Sequence, residues 1–477
     1  MAHHVANDLP PHLSMWQRVR EYAVPPSMIE TATARRAAGD WAGACAAARI
    51  DVDLDLRAVR DRHGTDLVTR LRADLRRLAP DLLRWHMPRI APDGRLRPGL
   101  TLSLARYGDP GTPVQLVVRT PPARADAGQR MSLSLWTGPG DDAARHHPHP
   151  HPDRRFRLDL HRHLWDATRS GELARRSGWS GWSGTPTVPC ADSPWAKGRW
   201  AAEAELLLRA EGRPRGAFTV RLAARDRLVL ELVAPDDAHV PVVRPPRTAP
   251  PPQEAAALPV LPEAAARLLP DLELLRAGLV APERLHPLVA AALPLPGPAP
   301  AAGPASAPGD PHRVECRGEV HRLALRDGVL TAVDHDPDQL RREELLVALG
   351  GPPLPCLRAI DAVHRNPEAL PAVRERLAHG DVTGALAVVE GLLGPGAVLR
   401  DGPLRAELES AAARRVDHGL FRSGLLAEHP GARTAGDGGA AGPYQGHRPR
   451  LDRRSRRTPP VLFSKRISRS RPRTGQP

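Results

Sequence analysis

Thr101-Leu102-Ser103-Leu104-Ala105-Arg106, Val114-Gln115-Leu116-Val117-Val118-Arg119-Thr120 and Met131-Ser132-Leu133-Ser134-Leu135-Trp136 are three short apolar-rich runs. The first and last alternate polar and apolar residues, and Gly108-Asp109-Pro110-Gly111 supplies turn chemistry between the first two. Alternation with period two puts one set of side chains on a buried face and the other on a wet face, so the stretch predicts an antiparallel meander. The run Arg157–Leu164 continues the pattern as a fourth strand. It would set Phe156, Leu158, Leu160 and Leu164 on one face and Asp159, His161 and His163 on the other, with Arg162 against the pattern.

Around this block the chain reads as α+β. Helical spacing predicts an N-terminal helical domain over residues 12–90. The antiparallel β-rich domain spans 95–235 and closes with strands at Ala217–Leu222 and Arg227–Val233. A Pro/Ala-rich linker with a short helical pair, broken at Pro270 and Pro282, covers 236–311. A β-hairpin at 312–335 turns on Asp327-Gly328, and a C-terminal helical domain covers 336–426. Residues 427–477 lack periodicity and read as a disordered Arg-rich tail. Ser27-Met28-Ile29-Glu30 has the form of a capping box with Ser27 as N-cap, and Asp336-Pro337 that of a cap followed by proline at the first helical position. Gly39-Asp40 and Gly380-Asp381 sit in matching surroundings and resemble the inter-helix turn of tetratricopeptide repeats. The rest of that repeat is not met, so each predicts a single helical hairpin.

The chain has 477 residues and a net charge of +14, with 41% apolar but only 3% aromatic residues, so its cores must be built from Leu, Val and Ala. The charge is uneven. From Tyr444 onward there are ten arginines and Lys465 against Asp452 alone, so the basic signal belongs to the tail rather than to a folded face. Cys45, Cys190, Cys316 and Cys356 show no zinc-ribbon spacing and are too sparse for a disulfide scaffold, which fits a reduced cytoplasm. No secretion signal and no run of apolar residues long enough to span a membrane is visible.

The densest chemistry is histidine. His146, His147, His149 and His151 lie in a Pro-spaced run, followed by Asp159, His161 and His163. Imidazoles two apart on a strand point the same way and can share a metal with a nearby carboxylate, which makes Asp159, His161 and His163 the metal-site candidate and zinc the candidate ion. The alternative is a solvated His-Pro loop and a polar strand face. Asp51-Val52-Asp53-Leu54-Asp55 begins like a calcium loop but lacks its glycine and its final glutamate, so it reads as capping and surface Asp. In Gly178-Trp179-Ser180-Gly181-Trp182-Ser183-Gly184 the tryptophans either stack on a base or sugar or pin the loop to the sheet. No phosphate-binding loop, dinucleotide fingerprint, HExxH or kinase motif occurs, which weakens an enzyme reading. Arg448, Arg450, Arg453, Arg454, Arg456 and Arg457 could meet nucleic-acid phosphates without sequence preference.

Met15-Trp16-Gln17-Arg18-Val19-Arg20-Glu21-Tyr22-Ala23-Val24-Pro25-Pro26 and Trp85-His86-Met87-Pro88-Arg89-Ile90 resemble a family of high-GC actinobacterial proteins of unknown function. The resemblance implies cytoplasmic location and no known activity. It also names a partner class, since such proteins accompany AAA+ ATPases of the MoxR type and von Willebrand A proteins. The expectation is a non-enzymatic interaction or scaffold protein. A metal-dependent enzyme using the His/Asp cluster and nucleic-acid binding through the tail are the alternatives.

Overall fold

The computed structural model describes residues 10–107, 114–138, 147–177, 194–224, 226–234, 240–295, 313–316, 319–326, 329–332, 334–352, 354–358, 360, 370–393, 399 and 401–425. His146, the Trp179/Trp182 loop, Cys190, Asp327-Gly328 and the whole basic tail, Arg448 to Arg457 included, lie outside the described residues.

Helices Pro11–Tyr22, Pro26–Ala37 and Trp41–Ala47 lead into strand β1, Ile50–Asp53. Helices Leu56–His63, Thr65–Arg77 and Pro80–His86 follow, then the two-residue ladder β2 (Arg89–Ile90) with β3 (Arg95–Leu96), and β4 (Thr101–Arg106), β5 (Gln115–Arg119) and β6 (Met131–Trp136). β4, β5 and β6 form the predicted antiparallel meander. Leu102, Val118 and Leu133 stand opposite one another on one face, as do Leu116 and Leu135, and they join Leu71, Leu75, Leu78 and Trp85 of the helices in one core. β1 adds to β6 in parallel, with Ile50 opposite Met131. Asp51-Val52-Asp53 is therefore an edge strand. Its carboxylates pair with Arg130 and Arg422, and only Asp55 caps a helix.

The expected fourth strand at 157–164 does not form. Arg157 makes a single bridge to Ser103, and Arg162–Leu164 is a 3-10 turn. The buried Trp165 donates its indole N–H to the Leu158 carbonyl at 3.0 Å and folds the segment back on itself. The Ser27 capping box is also absent, because Pro26 takes the first helical position and Pro25 becomes the N-cap. Both Gly-Asp turns form as read. Gly39 and Gly380 have φ of 77° and 81°, and Asp40 and Asp381 accept from the amides of Gly43 and Gly384. The second turn docks on the main body: a Cβ at Gly380 would stand 2.2 Å from the Gly128 carbonyl oxygen. Arg49 donates to the His379 carbonyl at 2.8 Å beside it.

The largest departure from expectation is residues 258–295, where the expected short helical pair within a linker is instead part of the main core. Leu272, Leu275, Leu285, Val289 and Leu293 belong to the main core. Pro270 and Pro282, expected to break the helices, instead start Pro270–Arg276 and the 3-10 turn Pro282–Arg284, and Pro287 starts Pro287–Ala292. β7 (Gly216–Arg221) and β8 (Arg227–Val233) pair as expected, with β9 (Val242–Arg244) from the supposed linker as a third strand. They pack on helix Trp200–Ala210 in a separate core. Among the described residues, β10 (Arg313–Cys316), β11 (Glu319–Arg326) and β12 (Val329–Ala332) form a three-stranded sheet separate from the meander. Its partners are the C-terminal helices Pro337–Ala348, Leu370–Ala378, Val382–Leu393 and Pro403–Arg422. Among the described residues, no helix is long and apolar enough to cross a membrane.

Burial pushes His86 down to about 3 and His147 and His379 down to about 4, so all three are neutral in the fold at neutral pH. Unfolded, each titrates near ~6.5. Between these values the unfolded chain binds more protons than the fold, so stability must fall as pH is lowered from about 6.5 toward 4. The slope is up to about 1.4 kcal/mol per pH unit for each histidine. Thermal unfolding across that window checks the sign, and a melting temperature that held or rose on acidification would contradict it.

Candidate metal centre

Cys316, His335 and Cys356 come together from three segments, with their ligand atoms within 4.8 Å of one another. Among the described residues this is the one such group, and it could hold a metal ion. Cys316 ends β10, where β11 pairs antiparallel and places His321 opposite Val314, on the same sheet face as Cys316. That face is buried through Leu323 and Ala332. His335 lies just after β12, where the chain turns: its amide donates to the Ala332 carbonyl at 3.2 Å. Asp336 then caps helix Pro337–Ala348 by accepting from the Asp338 amide at 3.2 Å. Cys356 arrives on the helical segment 355–358.

The donor chemistry fits a borderline-soft ion. Sγ of Cys356 is 3.4 Å from Nε2 of His335, and tetrahedral zinc with bonds of about 2.3 Å to sulfur and about 2.0 Å to nitrogen would set them about 3.5 Å apart. Burial, and after it the neighbouring Cys316 thiol, pushes Cys356 up to about 12. Without a cation the thiol keeps its proton; a bound metal would displace it, as thiolate ligation requires. The His321 ring stacks on His335 with centroids 3.8 Å apart, which puts a second imidazole beside the group. Cys316, Cys356, Leu323, Ala332 and Leu340 belong to a small second core of aliphatic and small side chains, with no aromatic among its described members. Such a core gains most from a staple.

The residues singled out by sequence sit elsewhere and are otherwise engaged. Asp159 accepts both guanidinium arms of Arg157 at 2.8 Å. His161 has both ring nitrogens in use, Nε2 with Glu203 at 3.1 Å and Nδ1 with the Arg157 carbonyl at 2.9 Å. His163 meets His161 edge-on, centroids 5.8 Å apart. The two imidazoles are therefore neighbours, but the carboxylate is not turned toward them. Of the Pro-spaced run, His147 bonds the Thr120 carbonyl at 2.9 Å and His151 lies edge-on to Trp136, so both are packed at the margin of the main sheet.

Cys316, His335 and Cys356 escaped the sequence reading because no two lie within a local zinc-binding spacing. The strand, the turn after β12 and the Asp336 cap were each legible, but their convergence was not. No protein-family model, no characterised protein and no solved structure matches this chain.

Proposed function

We propose that the protein is a non-enzymatic interaction protein whose C-terminal module is held by one structural zinc ion on Cys316, His335 and Cys356. The observation that carries this reading is the buried thiol–imidazole group joining three distant segments. Two thiolates and imidazole are the ligand types of structural zinc. The group's burial between a strand, a turn and a helix suits a structural role. An interaction role is supported by the helix that starts beside the site. Leu345, Leu346 and Leu349, at its far end, are 60%, 51% and 89% exposed, and a cluster of large exposed aliphatics marks a surface for a protein partner.

Tag-free protein expressed with zinc should carry one zinc per chain by mass spectrometry, and Cys356→Ser should abolish it. Metal-free protein with fully reduced thiols would overturn the zinc assignment. A partner that co-purifies with the wild type should be lost with Leu345→Asp and Leu349→Asp. Retention by a folded double variant would remove that surface from the proposal.

A further inference from the structure

A cavity of about 290 Å³ opens between the first helix, the end of helix Pro80–His86, the 155–164 segment and residues 262–273. Eight arginines and two glutamates line it, so its field is positive even after internal pairing. Arg20, Arg155, Arg157 and Arg176 are tied to Asp271, Asp153, Asp159 and Glu203. Arg199 is not matched in this way. It reaches Glu203 only at 4.0 Å, and that carboxylate already serves Arg176 and His161.

Four fully buried nitrogens on the lining side chains have no hydrogen-bond partner: Nδ1 of His163, Nε2 of His86, Nε of Arg199 and Nε of Arg89. His163 is 4% exposed. It meets His161 edge-on, and His161 shares Glu203 with Arg176 and Arg199, so His163 and Arg199 flank one buried pair. A buried polar atom left unmet costs about 1–3 kcal/mol. Closed off from solvent, these four nitrogens do not open onto the cavity as it stands, and an occupant would meet them by a small rotation of these side chains. The apolar wall is supplied by Trp16, Leu102, Phe156 and Leu164.

We propose that this cavity binds a small organic anion. Its carboxylate or phosphate head sits on Arg199 and the ring nitrogens of His163 and His86, and its apolar body lies against Trp16 and Phe156. Both heads share the chemistry that the site offers, a fixed guanidinium and imidazole hydrogen bonds in a low-dielectric pocket. The metal group contributes nothing here, so the inference stands or falls independently of the zinc reading.

The test is calorimetric titration of the full chain with four probes: benzoate, phenyl phosphate, inorganic phosphate and benzyl alcohol. The expected result is one-to-one binding of benzoate or phenyl phosphate, the better of the two naming the head. Inorganic phosphate and benzyl alcohol should each bind about tenfold to a hundredfold more weakly, and Arg199→Gln should cost a similar factor. In the wild type, saturation should move the ring-nitrogen resonances of His163 and His86, a readout that needs no variant to fold. Binding of benzyl alcohol as tight as that of the anions would reduce the site to an apolar hole. Absence of saturable binding by all four probes, or undisturbed histidine resonances, would overturn the proposal.

Discussion

An Asp271→Ala variant loses about 3–5 kcal/mol of folding stability, the cost of breaking a buried ion pair on one side. Asp271 is fully buried and accepts Nε of Arg20 at 2.8 Å and Nη2 at 2.7 Å. The Trp85 indole N–H donates to the same carboxylate at 3.0 Å, and Arg20 lies over the Trp85 ring at 4.3 Å. Removing the carboxylate strands a guanidinium whose charged form is already disfavoured by burial and leaves the indole donor unmet. The double variant Arg20→Met with Asp271→Leu recovers most of the loss, because the desolvation penalty disappears with the charges. Urea unfolding measures both. A loss below about 1 kcal/mol, the range of exposed pairs, would mean that 258–295 is not docked on the first helix as described.

If the proposed zinc is bound, removing it has the second large effect. Apparent zinc-binding free energies of about 10–16 kcal/mol are typical where binding and folding are coupled, more than the second core can replace with side chains such as Ala332 and Ala385. Chelation, or Cys316→Ser, is therefore expected to collapse amide protection over β10–β12 and helix Pro337–Ala348, while the β4–β6 meander keeps its own. Hydrogen exchange with and without chelator reads this region by region. Protection unchanged at β10–β12 in demonstrably metal-free protein would contradict a structural role.

What could be read from the sequence was local. Alternation at Thr101–Arg106 and Met131–Trp136 gave the meander, and Gly-Asp gave both helical hairpins. Asp336-Pro337 gave the start of the helix beside the metal group. The failures share one cause, a residue type whose local meaning was overridden by a distant partner. Pro270 and Pro282 start helical turns that the main core recruits, so a stretch expected to be linker around a short helical pair is part of the core. Asp51 and Asp53 belong to an edge strand because β6 and the arginines Arg130 and Arg422 await them. Asp159 was read as a free ligand, but Arg157, two residues earlier, takes its carboxylate. Cys316, His335 and Cys356 lie on a strand, a turn and a helix, and only the packing of the second core unites them.

The most direct measurement is a cobalt titration of chelator-treated, fully reduced protein, followed by absorption. The account predicts one equivalent of cobalt in tetrahedral geometry, with intense visible d–d bands and a thiolate-to-cobalt charge-transfer band. Zinc should displace it, and Cys316→Ser and Cys356→Ser should each lose the spectrum. A weak octahedral spectrum with no thiolate band would contradict a metal centre on Cys316, His335 and Cys356.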